Sequence, residues 1–445
     1  MASTGGDGSD IIPAGPILRS RSRQILEAAQ AKFSRVATIW RDDIIALTLC
    51  VIAAWGSYDL SRRIDPVIFE IGTLNIWFDA DIPRIFVDMN YRDSELYTTK
   101  RHPLTPLLEY SPVYLMRKVL AFDRVTAVHL TMALLAAVWA GMFYVVLRLI
   151  GCRRFDALLF SILALTSSAA MFWLVVPETI SFGSVTILLA FGFVAFAQRR
   201  RLGAFWYVLV SAATLSVTVT NWMFGVLASA VNHPMKRTAQ ITTYAFVLVA
   251  LLWVLQKMIF PGSVFFFGSP EAELPDMESG GVLRVLSGFF FHSIVMPAIE
   301  TTHWFYNPNL AVMSVEPSFP GSTGVAGDLA AAAWLVLFGL GVWALWSMKG
   351  CGRLRVFLAL GLLGQLGLHL IFGREMFFYS LHYQPLLIVI AALVMLTRTR
   401  PIALALAPIV VVFGGYNNFQ QFSKATEFVR GEAGQAHLVQ LAIRD

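Results

Sequence analysis

The sequence predicts an all-α fold, a polytopic transmembrane helical bundle of about eleven spans, and three observations predict it. The first is composition, because 57% of the 445 residues are hydrophobic and 14% are charged, whereas soluble domains carry about 25% charged residues. The second is a succession of apolar runs long enough to cross a bilayer. The third is the clustering of Lys and Arg in short turns between those runs, as the positive-inside rule describes. The net charge of +6 is therefore assigned to topology, and no nucleic-acid partner is predicted.

Residues 1–41 form the first predicted segment, which is disordered at its start and then becomes basic, amphipathic and cytoplasmic. Residues 1–18 are rich in Gly, Ser, Asp and Pro, a composition typical of disorder. Residues 19–41 place Arg and Lys around apolar residues at roughly helical spacing. An interfacial helix on the cytoplasmic leaflet and a basic flank that orients the next span are both consistent with this pattern. Either interpretation places the N-terminus in the cytoplasm.

The transmembrane domain is predicted over residues 42–415. Its first span, residues 44–58, is followed by a first external loop at residues 75–108, in which interfacial helices are expected. Later spans are predicted at residues 125–150, 157–176, 181–197, 202–220, 222–231, 238–260, 329–348, 356–372, 378–396 and 402–413. A long external loop covers residues 261–328, and an external C-terminal tail covers residues 416–445.

The first external loop concentrates charge in an otherwise apolar chain, which indicates the active-site loop of a membrane enzyme. Asp79 and Asp81 lie two residues apart, so they share a face on a strand but not on a helix. A helix that begins near Pro83 takes Asp81 as its N-cap and brings Arg84 beside it. Asp81 is then either a helix cap with a surface ion pair or a general base for an acceptor hydroxyl. Asp79 is the alternative or supporting carboxylate.

Other polar groups on the predicted external side are candidate substrate-binding residues. Lys100, Arg101 and His102 are consecutive and suit phosphate oxygens, although Lys and Arg also lie beside membranes without binding anything. Glu178, in a short turn between two predicted spans, is either a second acidic group or a polar turn residue. Four further candidates lie at a junction between spans: Arg374, Glu375, Tyr379 and His382. Tyr379 and His382 face the same way on a helix, so they could line one cavity. The alternative is that they belong to an interfacial aromatic belt.

The sequence lacks the motifs of several other kinds of site. It has no HExxH, and the three cysteines are too far apart for a zinc site. The Asp-Ala-Asp of residues 79–81 is only a weak hint of a divalent ion, so no metal and no cofactor is predicted. No P-loop, GxGxxG or GxSxG stands at a strand-to-helix turn. Nucleotide-driven pumps and serine hydrolases are therefore not indicated.

These features resemble the GT-C superfamily of polytopic glycosyltransferases, which includes the protein mannosyltransferases and the bacterial lipid A aminoarabinose transferases. The resemblance rests on a basic N-terminus, one span, the first-loop motifs Asp81-Ile82-Pro83-Arg84 and His102-Pro103-Leu104, and Glu178 in the second external turn. Many members have His-Pro-Pro at the second motif. The long external loop and residues 373–385 match no subfamily pattern.

The resemblance implies hexosyl or pentosyl transfer from a polyprenyl-phosphate-linked sugar to a lipid, glycan or protein acceptor. It places the active site on the periplasmic or external face of a bacterial inner membrane, among membrane lipids. Asp81 takes the catalytic role, Asp79 is less favoured, and Glu178 takes the second acidic place. The implied phosphate-binding residues are Arg84, Lys100, Arg101, His102 and Arg374.

Rival interpretations belong to other classes. In a polysaccharide or lipid-linked-glycan transporter, or in a structural subunit of envelope assembly, the loop charges would be binding groups without a catalytic role. An O-antigen ligase or polymerase usually has a large loop rich in Arg and His. Here the loop of residues 261–328 has Arg284 as its single Arg or Lys, which counts against that class.

Overall fold

The computed structural model describes residues 41–71, 75–267, 281–304, 307–347, 352–373 and 376–433. The chain divides into two units, Met1–Leu47 and Thr48–Asp445. The predicted basic segment before residue 41, together with Arg374 and Glu375 of the predicted site, lies outside the described residues. Within the described residues the fold is mostly helical, as the sequence predicts.

The described residues contain seven helical stretches that are long and apolar enough to cross a membrane. These are Arg41–Ser61, Arg124–Ile150, Thr179–Ala197, Met235–Ile259, Val325–Ser347, Gly352–Phe372 and Arg400–Gly431. Three shorter apolar stretches are Ala204–Val217, Val282–His292 and Ser380–Leu396. Length and composition are thus compatible with a multi-pass membrane protein. The count of about eleven spans stays a prediction.

The helices are numbered in chain order. The first eight are α1 (Arg41–Ser61), α2 (Ile82–Asn90), α3 (Thr105–Lys118), α4 (Arg124–Ile150), α5 (Arg154–Thr166), α6 (Ser168–Trp173), α7 (Thr179–Ala197) and α8 (Ala204–Val217). The others are α9 (Trp222–Ala230), α10 (Met235–Ile259), α11 (Val282–Ser287), α12 (Val325–Ser347), α13 (Gly352–Phe372), α14 (Ser380–Ala392), α15 (Arg400–Ile409) and α16 (Gly415–Phe428). Single 3₁₀ turns lie at Pro66–Phe69, Tyr97–Lys100 and Leu393–Leu396, and π-turns at Gly288–His292, Val410–Gly414 and Val429–Ala433.

Helix α14 lies at the centre of the packing. All 13 of its residues are buried, and it contacts α5, α7, α12 and α13. Its sequence is apolar on almost every face, which is the pattern of a helix surrounded by other helices. The candidate site lies at the N-terminal end of this helix. Residues 376–379 lead into the helix there.

The predicted span of residues 157–176 is broken into α5 and α6. The break falls at Ser167, which caps α6 by accepting from the backbone N–H of Ala170. The N–H groups of Ser168 and Ala169 donate to the carbonyls of Ile294 and Ser293. A helix can break in an apolar setting when another segment satisfies its free backbone groups, and here residues 293–294 do so.

The predicted spans of residues 202–220 and 222–231 are the short helices α8 and α9, joined by a turn that packs on the first external loop. The N–H of Leu104 donates to the carbonyl of Ser216, and the N–H of Val219 donates to the carbonyl of Arg101. The loop therefore supplies the backbone partners that a continuous helix would have supplied to itself.

The predicted C-terminal tail from residue 416 differs from the structure. Helix α15 continues through a π-turn into α16, and the helical stretch runs to Ala433. Asn418 is fully buried; its amide accepts from the N–H of Met296 and donates to the carbonyls of Thr166 and Ile294. Residues from 416 were predicted to form a polar external tail. In the structure, the Asn418 side chain satisfies backbone groups of neighbouring segments.

The long loop contains a small sheet that the all-α prediction did not include. Strands β1 (Glu300–Trp304) and β2 (Asn307–Ser314) are antiparallel, and Glu300 pairs with Ser314. The N–H of Met313 donates to the carbonyl of Ile76 in the first external loop. The two loops predicted to be external are therefore packed against each other.

Three turns that carry clusters of arginine, at residues 151–154, 198–201 and 397–400, are the kind that the positive-inside rule places in the cytoplasm, and they also make contacts at their ends. Arg400 binds Asp156 through two hydrogen bonds of 2.7 and 3.0 Å, and Asp156 is fully buried. Arg199 donates to the carbonyl of Leu149 at 2.6 Å. These contacts join the turns that precede α5, α8 and α15 at one end of the helices.

Candidate functional site

The residues before Asp81 form a tight turn fixed by aromatic packing. Phe78 and Asp79 both have left-handed backbone conformations, with φ of 50° and 62°. Such angles cost about 1–2 kcal/mol for a non-glycine residue. The buried rings of Trp77 and Phe78 offset that cost by packing on Phe172 at centroid distances of 5.7 and 5.6 Å. This packing holds the following acidic residues in one place, although the shared strand face considered for them does not form.

Asp81 occupies the N-cap position of α2, as the sequence predicts, with Pro83 in the first turn. Its side chain nevertheless makes no capping hydrogen bond. One carboxylate oxygen lies 3.4 Å from Nη1 of Arg84, and the Asp81 side chain is 32% exposed. The predicted pairing with Arg84 is confirmed. Because capping does not engage the carboxylate, the interpretation of Asp81 as only a cap loses its main support.

Glu178 is buried beside Asp81 and begins α7. Its carboxylate accepts from the N–H of Thr179 at 3.1 Å, and it is also hydrogen-bonded to the backbone of Asp81. Burial, and next the negative charge of Asp81, raise the pKa of Glu178 well above its ordinary value. The raised pKa favours the protonated form, which removes the repulsion between two neighbouring carboxylates. Glu178 is thus more than a polar turn residue, since it holds the backbone of Asp81.

Two further carboxyl groups belong to the same neighbourhood and were not predicted as site residues. Burial raises the pKa of Asp88 to about 6, and Ser94 and Thr98 donate to its carboxyl group. Burial also raises the pKa of Glu109 in α3 well above its ordinary value, and the charges of Asp88 and Glu178 add to that rise. The loop boundary drawn at residue 108 excluded Glu109. Glu109 could have been identified from the sequence as a single acidic residue in the helix that follows the loop.

His102 is held by contacts with two other segments of the chain. Its Nδ1 lies 2.8 Å from the carbonyl of Val217, and its Nε2 lies 3.4 Å from Oγ1 of Thr179. Burial lowers the pKa of His102 to about 4, so the imidazole is neutral at neutral pH. It does not supply positive charge to a phosphate there. We assign it instead to positioning, because it ties the loop to α7 and to the turn after α8.

Two cations precede His102 in the chain. Arg101 is exposed and Lys100 is half-buried. Tyr379 lies near enough to Arg101, and to Asp79, Asp81 and Glu178, for their charges to act on it. Tyr379 therefore lies within reach of both the cationic and the acidic parts of the loop. Arg374 and Glu375, which precede this segment, lie outside the described residues.

Tyr379 and His382 lie together at the start of α14, with ring centroids 6.5 Å apart. The structure therefore confirms that they face one region. Trp173 fixes the start of α14 by donating to the carbonyl of Phe377 and to the hydroxyl of Ser380. His382 also lies close to Gly183 of α7, and a side chain at position 183 would have no space. Buried Asn221 is also close to Gly183.

The described residues thus bring Asp79, Asp81, Glu178, Arg84, Arg101 and Tyr379 into one neighbourhood. No group of three His, Cys, Asp or Glu side chains there or elsewhere in the described ranges has the arrangement of a metal site. Two surface cavities lie beside other residues: one of about 530 Å³ at Arg117, Lys118 and Arg124, and one of about 430 Å³ at Arg284 and Glu316. Asp81 lines neither.

No family model, no curated protein and no solved structure matches the chain. The chemistry of this protein is therefore inferred from the residues and geometry of the site itself. Its chemistry combines one half-exposed carboxylate, a buried carboxyl group bound to the backbone of the first, and several cations. Such a set can accept a proton and stabilise a departing anion.

Proposed function

We propose that the protein is a membrane glycosyltransferase that uses a polyprenyl-phosphate-linked sugar, with Asp81 as general base. The acceptor is a lipid, a glycan or a protein. The observation that supports this most is the state of Asp81, whose carboxylate is not used as a helix cap, is part-exposed and is bound to Arg84. A residue that served only to begin α2 would make the capping hydrogen bond.

The reaction needs one base and several cations. Asp81 takes the proton from the acceptor hydroxyl, whose oxygen then attacks the anomeric carbon of the sugar. The bond between that carbon and the phosphate oxygen breaks, and its electron pair leaves with the polyprenyl phosphate. Arg84, Lys100 and Arg101 stabilise the charge that develops there. Direct displacement of this kind inverts the anomeric configuration.

Glu178 and His102 support the reaction by holding the loop. Glu178 binds the backbone of Asp81, and His102 binds the turn after α8. In its protonated form Glu178 adds no second negative charge beside Asp81, whose carboxylate is paired with Arg84. Both residues are positioning groups in this scheme, and Asp79 is the alternative base.

The proposed architecture is GT-C-like, with about eleven crossings, a cytoplasmic N-terminus, and the site on the external face of a bacterial inner membrane. Two sets of contacts support it: those between the two predicted external loops, and those between predicted cytoplasmic turns. Helices α2 and α3 suit the interfacial helices expected in the first loop. Helix α3 exposes Tyr114 and Leu115 beside the basic residues of its last turn, which is a pattern of interfacial helices.

A transporter of lipid-linked glycans is the second candidate, and one observation favours it. Gln365 and His369 lie one turn apart in α13, are buried, and have no hydrogen-bond partner for their side-chain nitrogen and oxygen atoms among the described residues. Polar side chains inside a candidate span often line a substrate or ion path.

Reconstitution distinguishes the two functions. The purified chain is placed in vesicles with undecaprenyl-phosphate hexoses and pentoses that are radiolabelled in the sugar, together with an extract of membrane acceptors. We expect the label to leave the polyprenyl carrier and free undecaprenyl phosphate to appear. If the label instead crosses the bilayer with the sugar-phosphate bond intact, the protein is a transporter and the proposed function is wrong.

A further inference from the structure

A second polar site lies between α11 and the end of β2. It is a cavity of about 430 Å³ lined by residues 281–284, 287 and 316–319. This volume is within the range of about 300–1,000 Å³ that is usual for small-molecule sites. None of these residues takes part in the site around Asp81.

Glu316 is the buried polar group of this cavity. It is 5% exposed, and its Oε1 accepts from the N–H of Phe377 at 3.0 Å. Its Oε2 is also buried and has no hydrogen-bond partner among the described residues. An unpaired buried carboxyl oxygen costs about 1–3 kcal/mol, so a group that binds it from the cavity would stabilise the site.

Among the described residues, the rest of the lining provides one cation and an apolar rim. Arg284 is exposed and near enough to Glu316 to act on it electrostatically. Val282, Leu283 and Phe319 are 61%, 83% and 74% exposed. Large apolar side chains exposed beside a single cation complement a molecule that carries both an anionic group and a hydrocarbon chain.

We propose that this cavity binds the phosphate headgroup of an anionic lipid. Arg284 binds the phosphate, the Oε2 hydroxyl of protonated Glu316 donates a hydrogen bond to it, and the hydrocarbon chain lies against Val282, Leu283 and Phe319. This site does not depend on the proposed function, because it uses none of the residues assigned to sugar transfer.

Protonation of Glu316 determines the pH dependence of binding. Burial raises the pKa of Glu316 to about 7, while the N–H groups of Phe377 and Met376 and the charge of Arg284 oppose that rise. Among the residues that the structure describes, the other titratable groups around it are Tyr383 of α14, Glu300 of β1, which accepts from Ser318, and His292 near Ser318. Above pH 7 the ionised carboxylate repels a phosphate, so affinity is expected to fall as the pH rises.

Direct binding tests the proposal on the full chain in detergent. The probe is dioctanoyl phosphatidylglycerol, whose phosphodiester keeps one negative charge across the pH range used. We expect binding at about pH 6 to be roughly tenfold tighter than at about pH 8. Arg284→Gln should weaken binding about tenfold or more. Arg237→Gln, at an exposed arginine that lines neither cavity, is the matched control and should bind as the unchanged chain does.

Glu316→Gln tests the hydrogen bond separately from folding. The amide is neutral and donates as the protonated acid does, so this variant should retain binding at low pH and lose the pH dependence. Leu283→Ser should weaken binding of the lipid without changing the pH dependence. Equal loss in Arg284→Gln and Arg237→Gln, pH dependence that persists in Glu316→Gln, or equal affinity for dioctanoyl phosphatidylcholine would each overturn the proposal. Equal affinity for glycerol phosphate would show a free-phosphate site instead of a lipid site.

Discussion

At the scale of single residues, two aspartates near the first loop are expected to change stability with pH in opposite directions. Burial raises the pKa of Asp88 from 3.8 to about 6, so the folded protein holds this proton more tightly than the unfolded chain. The stability that results is fully present below pH 3.8 and is lost as the pH rises through about 6. Asp123 caps α4 by accepting from the N–H of Thr126. A hydrogen bond from the Thr126 side chain, and next the one from that N–H, lower the pKa of Asp123. Its contribution is lost as the pH falls.

The measurement is thermal unfolding of Asp88→Asn and Asp123→Asn from about pH 4 to about pH 7. Relative to the unchanged chain, Asp88→Asn should become more stable with rising pH, by at most about 1.4 kcal/mol per pH unit. Over the lower part of that range, Asp123→Asn should become less stable with rising pH, relative to the unchanged chain. Identical trends in the two variants would contradict these assignments.

The sequence supplies some site residues and misses others for a physical reason. Asp81, its position before Pro83 and its pairing with Arg84 follow from spacing along one helix. Glu109 and Glu316 are single carboxyl groups whose chemistry comes from burial by distant segments, and local spacing does not show burial. The neutral state of His102 likewise depends on α7 and the turn after α8.

At the scale of elements, the close approach of α12 to α14 depends on one glycine. A Cβ at Gly341 would lie 2.5 Å from the carbonyl oxygen of Ile390 and 2.6 Å from Cα of Ala391, both backbone atoms. We expect Gly341→Ala to destabilise the protein by about 1–3 kcal/mol. Gly339 lies two residues earlier in the same helix, and a Cβ there would meet nothing within 4 Å.

Gly339→Ala is therefore the matched control and should be neutral or stabilising by up to about 1 kcal/mol, from helix propensity alone. Thermal unfolding of both variants in one detergent checks the pair. Destabilisation of equal size in both would show that α12 does not pack on α14 at Gly341.

Helix boundaries that depend on local signals were predictable, whereas the break between α5 and α6 was not. The start of α2 at Asp81 and Pro83 follows from capping preferences, and the separation of α8 from α9 agrees with the two spans predicted at residues 202–220 and 222–231. The break between α5 and α6 depends on backbone partners from residues 293–294, which lie far away in the sequence. The hydropathy of residues 157–176 is continuous, so it predicted one longer span.

At the scale of the whole molecule, the orientation of the chain is a separate prediction. Asp93, Arg200 and Arg398 are all exposed, and the proposed topology places Asp93 outside and the two arginines inside. Single cysteines at these positions, in a chain without Cys50, Cys152 and Cys351, report this through a membrane-impermeant maleimide. Asp93→Cys should react in intact cells, and Arg200→Cys and Arg398→Cys only after the cells are opened. Reaction of all three from one side would contradict the topology.

The measurement that tests the central claim most directly is the transfer rate of Asp81→Asn. The assay follows sugar leaving its polyprenyl-phosphate carrier in reconstituted vesicles, and Asp93→Asn is the control because its side chain is 77% exposed in the same loop. Loss of a general base lowers the rate by about 100-fold to 10,000-fold, so we expect Asp81→Asn to fall in that range and Asp93→Asn to transfer normally. Full transfer by Asp81→Asn would contradict the account.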